Sequence, residues 1–78
     1  MLFRSQTICN EIYVEMRKMA RQFERERRDV VLRVNPDVAK ELKANGGRWL
    51  QDLEEISGRT VLVKTDSTLH QEQFDIHQ

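Results

Sequence analysis

From Thr7 to Arg27 the apolar residues Ile8, Ile12, Met16, Met19 and Phe23 recur at steps of three or four. At 3.6 residues per turn they share one stripe, widened by Cys9, Tyr13 and Ala20, while Glu11, Glu15, Lys18, Arg21, Gln22 and Arg25 take the other side. The spacing predicts an amphipathic helix of about five turns, with Ser5 or Thr7 as its N-cap. Val14 alone falls well off the stripe and belongs either to solvent or to a second contact surface.

The run Asp29-Val30-Val31-Leu32-Arg33-Val34 is β-branched and nearly all apolar, the pattern of a central strand covered on both faces. Asn35-Pro36-Asp37 then supplies an N-cap, a proline for the first helical position and an acidic first turn, opening a helix that turns Val38, Ala39 and Leu42 inward. Asn45-Gly46-Gly47 stops it, and a second short helix presents Trp49, Leu50, Leu53 and Ile56 before Gly58 ends it. Thr60 to Thr65 reads as a second strand and Gln73 to His77 as a third, with polar residues 66–72 between them as a hairpin loop. The order helix, strand, helix, helix, strand, strand defines an α+β fold: a small three-stranded mixed sheet with helices packed on it. The crossover makes the first two strands parallel and right-handed, and the last two are expected to pair antiparallel.

Size and composition narrow the function. Seventy-eight residues allow one small domain. Leu, Ile, Val and Phe make up 21 of the 78, enough to fold, and a net stability of roughly 4–12 kcal/mol is expected at this length. Thirteen basic residues balance thirteen acidic ones, which argues against a dedicated polyanion binder. The longest apolar run is three residues, so no segment reads as a signal peptide or a membrane span, and the single cysteine excludes an intrachain disulfide. A reduced, cytoplasmic setting is the expectation.

Four segments carry a resemblance: Thr7-Ile8-Cys9-Asn10-Glu11-Ile12-Tyr13, Val30-Val31-Leu32-Arg33-Val34-Asn35-Pro36, Leu53-Glu54-Glu55-Ile56-Ser57-Gly58-Arg59-Thr60-Val61 and Glu72-Gln73-Phe74-Asp75-Ile76. Together, over Thr7 to Ile76, they resemble the C-terminal end of the ribonuclease E/G family, closer to ribonuclease G. The resemblance implies a bacterial, cytoplasmic endoribonuclease, a hydrolase that cuts single-stranded RNA in ribosomal RNA processing and messenger decay. It places this chain on the small C-terminal domain of such an enzyme, as a fragment of a longer protein. In the family that domain helps assemble the oligomer, whereas magnesium and zinc belong to the parent enzyme. Neither the catalytic aspartates nor the paired zinc cysteines have a counterpart here, so no catalytic, metal or cofactor residue is carried over.

Cys9 reads as a small buried thiol. His70 and His77 lack further ligands at metal-binding spacing, and neither forms an evident acid/base site with Asp66 or Asp75. Asn45-Gly46-Gly47-Arg48 reads as a helix-to-helix turn, with a phosphate nest and RNA contact through Arg48 as the alternative. Arg17, Lys18, Arg21, Arg25 and Arg28 line the long helix among Glu15, Glu24 and Glu26, a mixed-sign surface that suits a partner or solvent better than RNA. Trp49 and Phe74 read as core. Val14 with the stems of Arg17, Lys18 and Arg21 forms the expected homo-oligomer surface, with the outer edge of the last strand as a second route. An RNA-contacting accessory module is the rival reading.

Overall fold

The computed structural model describes the backbone of residues 4–22 and 29–78 and the side chains of 7–22 and 29–78. Within them the chain forms α1 (Arg4–Met19), β1 (Val30–Val34), α2 (Pro36–Ser57), β2 (Val61–Thr65) and β3 (Phe74–His77). This is an α+β fold with a three-stranded mixed sheet.

The stripe on α1 is realised: Ile8, Cys9, Ile12 and Met16 are buried, Tyr13 and Met19 half-buried, and Val14 exposed. The helix starts at Arg4, so Ser5 and Thr7 lie inside its first turns and neither stands at the cap position. It ends at Met19, after which Gln22 N donates to the Met19 carbonyl (2.8 Å) in a turn. The expected continuation to Arg27, and the core position assigned to Phe23, fall among residues outside the described set.

Asn35 caps α2 through its side-chain oxygen, which accepts from Asp37 N (2.9 Å), and Pro36 occupies the first position. The two short helices expected from the sequence are the two arms of α2. They meet at Ala44–Gly47, where Asn45, Gly46 and Gly47 all take positive φ (56°, 71° and 78°). Two glycines and an asparagine are the residues that tolerate such a run at least cost. Gly58, also left-handed, closes the second arm by donating its N–H to the Glu54 carbonyl (2.8 Å).

The sheet order is β2-β1-β3, with β1 central and parallel to β2. The last two strands do not pair with each other: β3 lies antiparallel to β1, on the opposite side from β2. Residues 66–73 therefore cross the end of β1 instead of closing a hairpin. They are held there by Asp66 N donating to the Val34 carbonyl (2.8 Å) and Asn35 Nδ2 donating to the Leu69 carbonyl (2.9 Å). Docking on β1 sets Phe74 and Ile76 beside the fully buried Val34 and Leu32.

Among the described residues, helices cover only one face of the sheet. Val30, Leu32 and Val34 are fully buried with Ile8, Ile12, Met16, Val38, Leu42 and Leu53, and Trp49, Leu50, Ile56 and Phe74 pack against this cluster. The expectation that β1 is covered on both faces fails, because Arg33 is exposed and Val31 only half-buried. One helical layer suffices for a chain this short, and the alternate residues of each strand are left on an open face.

Candidate functional site

Two grooves flank α1. The first, of about 410 Å³, is lined by Val14, Arg17, Lys18 and Arg21. These are the four residues that the helical spacing places on an outward strip, so the structure brings the whole set together. Val14 is 43% exposed, and among the described residues no carboxylate lines this groove. Steps of three and four carry the strip along the helix, over the basic last turn of α1.

The second groove, of about 350 Å³, lies between α1 and the second arm of α2 and is lined by Tyr13, Asp52, Glu55 and Ile56. Sequence reasoning did not single it out. Asp52 and Glu55 stand three apart, a spacing that places two carboxylates on one helical face, but only the packing of α1 on α2 sets Tyr13 beside them. Among the described residues no cation lines this groove.

The open sheet face is a third surface. Across it run the rows Leu62, Val31, His77 and Lys64, Arg33, Asp75, read from the strand register. Leu62 is 42% exposed. His77 Nδ1 lies 2.8 Å from Asp75 Oδ2, with both side chains about half in solvent. His70 sits apart in the crossing segment, where its Nδ1 accepts from Glu72 N at 3.4 Å. Asp66 is not assembled with either histidine. Its carboxyl accepts from the Thr68 hydroxyl and from Thr68 N (2.9 Å), which hold it below the usual carboxylate range, with Arg33 adding a smaller attraction.

Cys9 is fully buried on the stripe of α1. Burial first, and then the carboxylate of Glu41, push its thiol up to about 12, so it stays protonated and unreactive at neutral pH. Arg48 is exposed just after the Ala44–Gly47 turn. Among the described residues there is no group of three or more His, Cys, Asp or Glu side chains able to hold a metal ion. No described helix is long and apolar enough to cross a membrane.

Compared with protein-family models, with curated proteins and with solved structures, the chain matches none.

Proposed function

We propose that this chain is a non-catalytic structural and oligomerisation domain of a ribonuclease G-like endoribonuclease that cleaves single-stranded RNA. The catalytic chemistry, with its magnesium, and the zinc belong to the remainder of that cytoplasmic enzyme, as does the RNA contact. What carries this reading is the outward strip of α1, where an exposed valine stands among three cations on a face that the core of the described residues does not use. The resembling segments support it from another side, since their roles here are architectural. Asn35-Pro36 starts α2, Ile56-Ser57-Gly58 ends it, and Phe74 to Ile76 dock β3 on β1.

Sedimentation over about a hundredfold range of concentration tests the proposal, because association by mass action shows itself as a concentration-dependent size. The expected result is reversible self-association, together with no cleavage of a 5′-monophosphorylated single-stranded RNA with or without magnesium. Magnesium-dependent cutting by the pure chain overturns the non-catalytic assignment.

One observation favours the rival reading, an RNA-contacting module. Arg33 and Lys64 are direct neighbours across β1 and β2, both exposed on the open sheet face. A strictly monomeric chain that binds single-stranded RNA with micromolar affinity at physiological salt puts that reading first, and loss of binding in Arg33→Ala and Lys64→Ala locates it.

A further inference from the structure

The two grooves beside α1 are complementary in the charge of their described linings. One presents Val14 among Arg17, Lys18 and Arg21, and the other presents Tyr13 and Ile56 with Asp52 and Glu55. Tyr13 and Val14 are consecutive, so the two surfaces start side by side, about 100° apart around the helix axis, and the basic strip runs on from there toward the C-terminal end of α1. A single chain cannot bring them together, because Val14 and Tyr13 are fixed on different sides of one rigid helix, and α2 packs on the Tyr13 side. A second copy can.

From these observations we infer that the basic strip of one chain docks in the acidic groove of a second copy, about a two-fold axis beside α1 that repeats the contact in reverse. The inference rests on the self-association proposed above and names the surface that receives the strip. In the pair Val14 meets the half-buried apolar lining of Tyr13 and Ile56, while the cations face Asp52 and Glu55. Each contact occurs twice, as an isologous interface requires. The chain's zero net charge removes long-range repulsion between copies, and the local segregation of sign fixes their register.

A charge swap tests it on the 78-residue chain. One variant carries Arg17→Glu and Arg21→Glu, and the other carries Asp52→Lys and Glu55→Lys. All four side chains lie outside the buried core, and unchanged denaturation midpoints check that both variants fold. Either variant alone would set like charges against each other at both contacts, so its dissociation constant by sedimentation is expected to rise about tenfold or more. Mixed in equal amounts, the two variants are expected to regain the wild-type affinity as a heteromeric pair, since both contacts are then complementary again. A wild-type chain that self-associates while both variants keep its affinity, or a mixture that does not recover, overturns this pairing and leaves self-association standing. A wild-type chain that stays monomeric overturns the self-association reading itself, and the pairing with it.

Discussion

Asn35 and Leu69, 34 positions apart in the chain, are joined by a hydrogen bond from the Asn35 side-chain nitrogen to the Leu69 carbonyl (2.9 Å). The oxygen of the same side chain accepts from Asp37 N and caps α2. One residue thus starts a helix and fastens the segment that carries the chain from β2 across to β3. A neighbouring bond, from Gln71 Nε2 to Asp37 Oδ2 (2.8 Å), ties the same two regions in solvent.

The two roles of Asn35 separate by mutation. Asn35→Ala removes both and is expected to cost about 1–3 kcal/mol, the sum of a cap and one partly buried hydrogen bond. Asn35→Asp keeps the capping oxygen but loses the donor to Leu69, so it is expected to cost less. Denaturant titration of both variants checks this order, and equal losses would mean that the capping oxygen contributes nothing beyond the bond to Leu69.

Glu54 guards the free edge of β2. Val61 N, which points away from β1, donates to Glu54 Oε2 at 3.0 Å, and the Glu54 backbone carbonyl accepts from Gly58 N. Glu54→Ala leaves the Val61 amide without this acceptor and is expected to cost about 1–3 kcal/mol, whereas Glu54→Gln retains an acceptor and is expected to cost less. The alanine variant is also expected to aggregate more readily in light scattering, because the outward amide of Val61 at the edge of β2 loses its acceptor and becomes available for pairing.

Leu32 and Val14 mark the inside and outside of the fold. Leu32 is fully buried at the centre of the sheet, and Leu32→Ala is expected to cost about 2–5 kcal/mol. At the exposed Val14, alanine is expected to change monomer stability by no more than about 0.5 kcal/mol. Chemical denaturation at a concentration low enough to exclude self-association makes the comparison, and a larger loss at Val14 would reverse the assigned helix face.

Cys9 gives the domain a pH dependence on the alkaline side. Its folded thiol is raised from an ordinary value of 9.0 to about 12, so between these values the unfolded chain releases a proton that the native chain keeps. The stabilising contribution is whole below pH 9 and declines as pH rises toward 12, with a limiting slope of about 1.4 kcal/mol per pH unit for one proton. Stability of the wild type and of Cys9→Ala, measured from pH 8 to pH 11, is expected to diverge in slope above pH 9. Parallel curves would show that the thiol is not linked to folding.

The features written in consecutive residues are legible in the sequence by itself. Periodicity marks the buried face of α1 and leaves Val14 out of it, Asn35-Pro36-Asp37 announces the start of α2, and Asn45-Gly46-Gly47 and Gly58 announce its break and its end. Each of these depends on backbone preferences and side-chain spacing within a few residues, which the sequence states directly. The basic strip of Val14, Arg17, Lys18 and Arg21 is legible for the same reason, since its members are spaced three or four apart along α1 and the turn that follows it.

Tertiary structure decided what depends on distant partners. The segment between β2 and β3 is long enough either to close a hairpin or to cross the sheet, and burial of Phe74 and Ile76 beside Val34 and Leu32, with Asn35 as anchor, selects the crossing. Whether β1 is covered on one face or two depends on where the helices pack, and both lie on the same side. The acidic groove exists only because α1 lays Tyr13 against Asp52, Glu55 and Ile56 of α2, a juxtaposition that neither helix encodes alone.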